Sequence, residues 1–355
     1  MEQIPAAIVG LGRIAGLLED DERREKPCTH AGAIAANSDC RLAAGADTDE
    51  ERRRLFAERW KVPVYADAEA MIAACKPGIL VIATHPDSHA QYCRLAAAHG
   101  IPVVICEKPL ADTLKKARQI ARLTAGKGAA PGSLKIVTNH ERRYSDDYIR
   151  AKAILNEGRS GQGLGPLLGV RGCLYMGRNQ RILDVLWHDG THLADAIMFL
   201  TGSTLKHRRS WGTRLTAKEG TAYLEGHLTD IAQPAAQAAE GNPGSRSRRQ
   251  IPVLIEVGAG RDHLVFEMEF SCEKGRLRIG NGVFEVWESA ESPYAQGFRS
   301  LKRTADVFEG PTGYFANMVK DAVACVREPD RQPRSGAADG LRVIEYLNSV
   351  KRWGR

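Results

Sequence analysis

Glycines at the spacing of a dinucleotide-binding turn stand near the start of the chain. Gly10-x-Gly12-x-x-Ala15 follows the apolar run 6–9, which predicts a strand. In such a turn the first glycine permits the tight bend and the second lets the backbone approach a pyrophosphate, while the small third residue packs a helix against the strand. Asp47, at the end of the next predicted strand, can accept ribose hydroxyls. The predicted dinucleotide site comprises Gly10, Gly12, Arg13, Ile14 and Asp47.

The interval between Gly10 and Asp47 is longer than the usual ~20 residues. The charged stretch 18–28 accounts for the excess, and we interpret it as an insertion in or after the first helix. Arg52–Arg54 lie just beyond Asp47 and can tolerate a 2′-phosphate. NAD is therefore favoured as the cofactor, and NADP stays open. The alternative without function is a glycine turn beside a solvated aspartate.

A lysine follows a later predicted strand. Lys108 comes directly after the apolar run 103–106 and Glu107. Open α/β sheets bind their ligands at the carboxyl ends of strands. A lysine at that edge lies where a ligand would bind, and a surface lysine before a proline turn is the alternative.

Ionisable side chains recur along one apolar segment. Asp184, His188, His192 and Asp195 stand at i, i+4, i+8 and i+11, so a single helix would carry them on one face. Four ionisable groups on such a helix are unfavourable unless they line a site. The two histidines have the spacing of a metal pair, but no third ligand follows at a recognisable spacing, so no metal is predicted.

Composition narrows the class of protein. The 355 residues include 50 Lys+Arg against 43 Asp+Glu, 43% hydrophobic and 26% charged residues, which is typical of a soluble globular protein of about two domains. Eight scattered cysteines without a Cys-x-x-Cys pair favour reduced thiols in the cytoplasm. No membrane span or signal peptide is predicted. Aromatic residues are not interleaved with the basic runs, so no nucleic acid is expected.

The hydrophobic pattern differs between the two parts of the chain. Short apolar runs alternate with helical stretches up to about residue 138, as in a doubly wound parallel sheet. Farther on, alternation by twos at 264–270 predicts a half-buried antiparallel strand. The stretch 232–250, with the basic cluster Arg246, Arg248 and Arg249, is predicted to be a long hairpin insertion or loop, and its role is left open.

These motifs together resemble the Gfo/Idh/MocA oxidoreductases, the family of glucose–fructose oxidoreductase and inositol dehydrogenase. The resemblance rests on four segments: Cys-Glu-Lys-Pro-Leu-Ala at 106–111, Ile-Ala-Thr-His-Pro-Asp-Ser-His at 82–89, His-Glu-Arg-Arg-Tyr at 140–144 and Ser-Gly-Ala-Ala-Asp-Gly-Leu at 335–341. It implies an α/β fold with an N-terminal Rossmann domain over 1–138. It further implies an α+β domain over 139–355 with a large, mostly antiparallel open sheet, whose C-terminal helices can pack back on the first domain.

The resemblance also assigns roles to single residues. Lys108 would exchange the substrate hydroxyl proton, and His192 would orient or polarise that hydroxyl. The candidates for substrate binding are Asp195, Asp189, Arg143 and Tyr144. The cofactor site gains Thr84, His85, His89, Glu107 and Lys108.

One position departs from the family pattern Asp-x-Gly-x-His-x-x-Asp. Gly190, His192 and Asp195 match it, but His188 stands where many members have an aspartate. Three proton relays stay open. His188 accepts the proton, an aspartate at 184 or 189 substitutes, or Lys108 and His192 suffice. We favour the last, with His188 as a further catalytic candidate that positions substrate.

The leading expectation is an NAD(P)-dependent dehydrogenase or reductase acting on a sugar, sugar derivative or cyclitol. The family also includes a nucleotide-binding sensor without turnover and glycoside hydrolases that recycle tightly bound NAD. Retention of Lys108 and His192 argues against a sensor. By resemblance, the chain forms a homodimer or homotetramer through its C-terminal sheet, and its other partner is a small polyol or sugar.

Overall fold

The computed structural model describes residues 2–124, 134–229 and 250–353, and the chain divides into two compact units. Unit 1 comprises Met1–Asp146 and Pro311–Ile344, and unit 2 comprises Asp147–Gly310 and Glu345–Arg355. The predicted division lies after residue 138, and unit 1 runs to 146 and resumes at 311. The predicted loop 232–250 and its basic cluster lie outside the described residues, apart from Gln250.

Unit 1 is built on a parallel sheet. Its described strands are β1 Ile4–Val9, β2 Cys40–Ala46, β3 Val64–Tyr65, β4 Ile79–Ile82, β5 Val103–Cys106 and β6 Lys135–Thr138. They lie in the order β3-β2-β1-β4-β5-β6. β4 and β5 are buried at every residue, as expected for strands covered on both faces. Chain order reverses between β1 and β4, and open α/β sheets bind ligands beside such a switch point.

Helices connect these strands. They are α1 His30–Ala35, α2 Glu50–Trp60, α3 Ala68–Cys75, α4 His89–Ala98 and α5 Leu114–Thr124. Asp49 and Asp67 begin α2 and α3, because their carboxylates accept hydrogen bonds from the first-turn N–H groups at 3.0 and 2.8 Å. α2 to α5 are among the helical stretches predicted to alternate with the apolar runs of this part of the chain.

The segment after the glycine turn differs from the prediction. Gly12–Gly16 forms turns and Leu17–Asp20 a short 3-10 helix, so no α-helix opens directly on the glycines in the described chain. The N–H groups of His30 and Ala31 donate to the carbonyls of residues 14 and 15 at 3.2 and 2.9 Å. α1 therefore continues the turn that precedes the insertion. The insertion interrupts the first helix instead of following it.

Unit 2 is built on a second, mostly antiparallel sheet. Its described strands are β7 Leu167–Tyr175, β8 Thr204–Gly212, β9 Gly220–Thr229, β10 Ile251–Ala259, β11 Val265–Cys272, β12 Gly275–Gly280, β13 Val283–Glu291 and β14 Arg299–Arg303. Their order is β14-β13-β12-β11-β7-β10-β9-β8, and only β10 with β7 is a parallel pair among them. Phe266, Met268 and Phe270 of β11 are buried, which confirms the predicted alternation over these residues, but Leu264 lies before β11 and is 52% exposed.

One predicted helix of unit 2 is in fact two. After α6 Asp146–Arg159, the helical elements are α7 Ile182–His188 and α8 Gly190–Thr201, with Asp189 between them. A Cβ at Gly190 would lie 3.1 Å from Leu186 Cδ2 and 3.7 Å from Leu174 Cδ2. α8 thus begins close against α7 and β7, where a side chain has little room. The predicted single stripe of ionisable groups is therefore wrong, since its members lie on two helices.

The last helices are α9 Tyr314–Arg327 and α10 Ala337–Trp353. α9 belongs to unit 1, where Phe315, Met318 and Val319 join the core of the parallel sheet. α10 begins in unit 1 and ends in unit 2. None of the helices in the described ranges has the length and apolar character needed to cross a bilayer.

Two glutamates anchor the charged insertion. Glu19 accepts hydrogen bonds from Thr29 Oγ1 at 2.6 Å and from the N–H of Cys28 at 3.2 Å. Glu25 accepts from the N–H groups of Thr312 and Gly313, directly before α9, at 2.8 and 2.7 Å. The insertion therefore joins the starts of α1 and α9 within unit 1.

Candidate functional site

The glycine turn at the end of β1 leaves room for a ligand. Gly10 has φ +86°, and a Cβ there would lie 2.7 Å from the Ala83 carbonyl oxygen, so this position requires glycine. A Cβ at Gly12 would meet no atom within 4 Å. The backbone at Gly12 therefore faces open space, which fits a pyrophosphate at this turn. Arg13 is exposed and Ile14 half-buried beside it.

Asp47 is tied to the glycine turn. Its Oδ2 accepts the N–H of Leu11 at 2.8 Å and its Oδ1 accepts the N–H of Asp49 at 2.9 Å. Each carboxylate oxygen has a second lone pair for a ribose hydroxyl. Arg52 Nη1 lies 3.8 Å from Asp47 Oδ2 and its side chain is 50% exposed. The residues fit a dinucleotide, with Asp47 suited to NAD and Arg52 available to a 2′-phosphate.

A cavity of about 370 Å³ is lined by Thr48, the residue after Asp47. The rest of its lining comes from the start of α3 and the length of α4, and includes Asp67, Gln91 and Tyr92. Burial raises the pKa of Tyr92, as do the charges of Asp47 and Asp67. The cavity adjoins the residue suited to ribose, so it has a suitable location for the adenosine end of a dinucleotide.

The predicted cofactor residues that follow β4 differ in exposure. His85 is exposed, and Thr84 Oγ1 lies 2.7 Å from Ser88 Oγ. His89, however, is fully buried, with Nε2 3.1 Å from the Thr84 carbonyl and Nδ1 3.3 Å from the Leu110 carbonyl. Burial lowers its pKa, so the ring is neutral. The predicted cofactor contact of His89 is corrected: the neutral ring can donate to only one of these two carbonyls, and it offers no surface to a ligand.

Glu107 and Lys108 follow β5 at the same edge of the sheet. Glu107 is buried, and its Oε1 lies 2.7 Å from His30 Nε2 and accepts Asn139 Nδ2 at 2.6 Å. Burial alone would raise the pKa of Glu107, but His30, Asn139 and the charge of Lys108 together lower it. The carboxylate is thus ionised and engaged by protein groups, which corrects the predicted cofactor contact of Glu107. Lys108 is half-buried.

Sequence reasoning missed His30 and Asn139. His30 follows the charged insertion and is 77 residues from Glu107 in the sequence. No local spacing of residues therefore predicts their contact. Asn139 directly follows β6, and its place at the carboxyl edge of a strand was the available signal.

Arg143 and Tyr144 were predicted to bind substrate, and the structure corrects both. Arg143 is 7% exposed and pairs with Asp339 at 3.1 Å. Tyr144 is fully buried, donates to Asp321 Oδ2 at 3.2 Å and accepts the N–H of Ser335 at 3.2 Å. Two segments that carry the family resemblance, 140–144 and 335–341, therefore bind each other inside unit 1.

The candidates in unit 2 differ in exposure. His188 is 75% exposed, and its Nδ1 lies 3.2 Å from Asp189 Oδ2. His192 is half-buried on α8, whereas Asp195 is 1% exposed. A substrate cannot reach a side chain buried so deeply, so direct binding by Asp195 is not supported. Asp184 forms two bonds with Arg181 at 2.7 and 2.8 Å, which lower its pKa.

Within the described ranges, no group of three or more His, Cys, Asp or Glu side chains is arranged to hold a metal ion.

Residues 4–131 match the oxidoreductase family described by its NAD-binding Rossmann fold, Gfo/Idh/MocA. D-Apiose dehydrogenase of Paraburkholderia graminis is 27% identical over 323 residues, which cover 87% of this chain and 80% of that protein. Over residues 4–131 the chain is therefore similar to the Gfo/Idh/MocA oxidoreductases. Inositol 2-dehydrogenase of Streptomyces avermitilis is 27% identical over 77% of this chain and 74% of that protein.

Two solved structures share this fold. An oxidoreductase domain protein from Kribbella flavida has a TM-score of 0.75 at 18% identity, covering 100% of this chain and 97% of that chain. The WlbA dehydrogenase from Bordetella pertussis, in complex with NADH and UDP-GlcNAcA, has a TM-score of 0.71 at 17% identity and the same coverage. The chain thus combines a Rossmann-fold unit, whose residues 4–131 match a family of NAD-binding oxidoreductases, with a mostly antiparallel sheet.

Proposed function

We propose that this oxidoreductase is an NAD(P)-dependent dehydrogenase or reductase acting on a CH–OH group of a sugar, sugar derivative or cyclitol. The nicotinamide cofactor, when bound, supplies a hydride acceptor or donor at C4. The observation that carries the proposal is Lys108 at the carboxyl end of β5, in the unit whose glycine turn and Asp47 fit a dinucleotide. The relatives named D-apiose and inositol 2-dehydrogenase support a polyol substrate.

Lys108 holds the proton in this proposal. As the substrate is oxidised, its hydroxyl proton passes to the Lys108 amine. The hydrogen on the carbon that bears this hydroxyl leaves with its electron pair as the hydride. The reverse transfer accompanies reduction. General acid–base transfer by a positioned side chain contributes typically about 10²–10⁴-fold to the rate. Gly12, Arg13 and Ile14 hold the cofactor phosphates, and Asp47 holds the ribose.

His192 orients the reacting hydroxyl. It is half-buried on α8, which limits the orientations of its ring. His188 is exposed and lies near its neighbour Asp189. We therefore assign His188 and Asp189 to substrate positioning. Proton transfer is assigned to Lys108, assisted by His192. Thr84 and His85 border the nicotinamide half of the cofactor.

The test follows reduced-nicotinamide absorbance while the protein is mixed with NAD or NADP and a panel of sugars, cyclitols and sugar acids. The expected result is steady, substrate-dependent reduction of added cofactor. Tight cofactor binding without turnover would contradict the proposal in favour of a sensor. Glycoside cleavage without net consumption of added NAD would favour a hydrolase that recycles its cofactor.

We further propose a homodimer or homotetramer that forms through the sheet of unit 2. Its strands carry large exposed apolar side chains, among them Leu168, Trp211 and Leu301 at 40%, 44% and 43%. The eight cysteines form no disulfide, which supports a reducing compartment such as the cytoplasm. Light scattering after size exclusion tests the assembly: we expect the mass of two or four chains, and a Trp211→Glu variant with the wild-type mass would argue against a contact there.

A further inference from the structure

A buried carboxylate lies directly before Lys108 in the chain. Glu107 is only 7% exposed, yet the combined effect of its partners keeps its pKa below the ordinary value, so it is an anion at neutral pH. Neither the dinucleotide turn nor the proposed proton transfer uses this charge. A buried ion persists only where hydrogen bonds and partner charges compensate for lost water.

The partners of Glu107 come from three separate segments of unit 1. His30 Nε2 on α1 lies 2.7 Å from Oε1, and Asn139 Nδ2, just after β6, donates to the same oxygen at 2.6 Å. The backbone N–H of Lys108 donates to Oε2 at 3.2 Å. Because Glu107 is ionised and accepts, His30 donates through Nε2–H. One oxygen is thus fixed by two side chains, and the other touches the backbone of the lysine.

The two donors are themselves held in place. The Phe315 ring on α9 meets the His30 ring edge-on, with centroids 5.2 Å apart, and His30 is fully buried. The backbone of Asn139 donates to the Cys106 carbonyl at 2.8 Å. Among described residues, neither His30 Nδ1 nor Asn139 Oδ1 has a hydrogen-bond partner, so each of these side chains is held through its hydrogen bond to Glu107.

We propose that His30 and Asn139 are positioning residues, which hold the Glu107 carboxylate ionised and fixed against the backbone of Lys108. The fixed anion sets the electrostatic surroundings and the backbone position of the lysine that exchanges the proton. This inference rests on the proposed role of Lys108. His30 and Asn139 touch neither substrate nor cofactor and act through Glu107.

The ionisable groups around Glu107 are few. His30 on α1 and Lys108 act on its carboxylate, and Glu107 in turn acts on His89 of α4 and on Cys106 of β5. Burial keeps His89 neutral and raises the pKa of Cys106 well above its ordinary value. Neither His89 nor Cys106 therefore changes charge near neutral pH, and a shift in the protonation of Glu107 reports on its donors.

The test compares wild type with His30→Phe, His30→Gln and Asn139→Leu. His30→Phe retains a ring against Phe315 but removes the N–H donor, and His30→Gln restores a donor of similar reach. Lys135→Met is the matched control, since Lys135 Nζ makes two buried hydrogen bonds, to the carbonyls of Cys325 and Glu328 at 2.6 and 2.7 Å, at the other end of β6.

Two readouts are taken over a pH range. Infrared difference spectra against Glu107→Gln isolate the carbonyl stretch of protonated Glu107, and steady-state kinetics separate kcat from the KM for NAD. In His30→Phe we expect Glu107 to take up its proton at a pH higher by about one unit. The acid limb of kcat should move with it, while the KM for NAD changes less than about twofold. Asn139→Leu moves both in the same direction, and His30→Gln recovers most of the shift.

A purely structural role predicts a different pattern. Lys135→Met and His30→Phe would then both lower the Tm, and neither would move the infrared transition or the acid limb. Unchanged protonation of Glu107 in His30→Phe overturns the inference, as does a moved protonation that leaves kcat unchanged. If wild type turns over no polyol with either cofactor, the proposed function fails, and the infrared transition alone then supports or overturns the holding of Glu107 by His30.

Discussion

The candidate residues of unit 1 and unit 2 are held by different kinds of contact. In unit 1, Asp47 binds the N–H of Leu11 and Glu107 binds His30, across 36 and 77 residues of chain. In unit 2, His188 lies against Asp189 and Asp184 against Arg181, within one helical turn. In unit 2, His188 is 75% exposed, and Arg181 and Asp184 are about half exposed, whereas Asp47 and Glu107 are buried.

The difference separates two tasks. Long-range buried bonds fix the edge of the parallel sheet where a dinucleotide fits, so changes there should alter cofactor binding and proton transfer strongly. Short-range exposed pairs hold their side chains weakly, because solvent screens them. The exposed residues at the ends of α7 should therefore tolerate substitution better than the buried residues of α8, among them Asp195.

Lys108→Met should have the largest effect. Removal of the proton-exchanging amine is expected to lower kcat about 10²–10⁴-fold while NAD still binds, because the glycine turn and Asp47 are intact. Steady-state kinetics and fluorescence titration with NADH measure the two properties. Lys116→Met, which removes an exposed lysine paired with Asp112 at 2.9 Å, is the control and should retain wild-type kinetics. Equal losses in both variants would show that Lys108 has no special role.

Asp47→Ala should come next. The substitution removes the acceptor for Leu11 N–H and for the ribose hydroxyls, and hydrogen bonds to a charged group contribute about 1.5–3 kcal/mol. We expect the KM for NAD to rise about 10-fold to 100-fold and the preference to move toward NADP, since Arg52 stays. Asp39→Ala, at an exposed aspartate paired with Arg327, should change neither constant. An unaltered KM for NAD would remove Asp47 from the cofactor site.

Substitution of His192 should lower kcat more than substitution of His188. His192→Ala is expected to lower kcat about 10-fold or more, and His188→Ala less than about threefold, because an exposed side chain near one neighbour orients a substrate weakly. Parallel kinetics with a substrate found in the panel give the ranking. The reverse order would assign the proton relay to His188, the residue that departs from the family pattern.

The smallest effect concerns the interrupted first helix. Thr29 Oγ1 accepts the N–H of Gly32 at 3.1 Å and begins α1. Thr29→Ala should lower the free energy of unfolding by about 1 kcal/mol, measured by urea denaturation. Thr124→Ala, at the end of α5, should cost less. A loss of NAD affinity in Thr29→Ala beyond its loss of stability would mean that α1 supports the glycine turn more than its hydrogen bonds to residues 14 and 15 indicate.

Local spacing made much of unit 1 predictable. Strands β4 and β5 are short continuous apolar runs, and α3 and α4 follow helical periodicity, so their bounds follow from the sequence within a few residues. The glycine turn was equally predictable, because its glycines stand in the sequence at the spacing of a dinucleotide-binding turn. The positive φ of Gly10 explains why a glycine is needed there. The insertion was visible as excess length, but not the hydrogen bonds by which α1 resumes the helix after it.

Long-range packing was not predictable. Arg143 and Tyr144 follow a motif that suggested a substrate pocket, yet their partners, Asp339 and Ser335, lie nearly two hundred residues away and bury both. The break between α7 and α8 depends on how closely Gly190 approaches Leu186, which no periodicity reveals. The role of His30 depends likewise on a partner across the sheet.

Isotope transfer tests the dehydrogenase claim most directly. A polyol substrate deuterated at the reacting carbon is incubated with the protein and NAD or NADP, and the reduced cofactor is isolated and analysed by NMR. We predict deuterium at C4 of the nicotinamide in wild type and almost none with Lys108→Met in the same time. Reduced cofactor without deuterium, or product formed with no reduced cofactor, would contradict direct hydride transfer and the function proposed here.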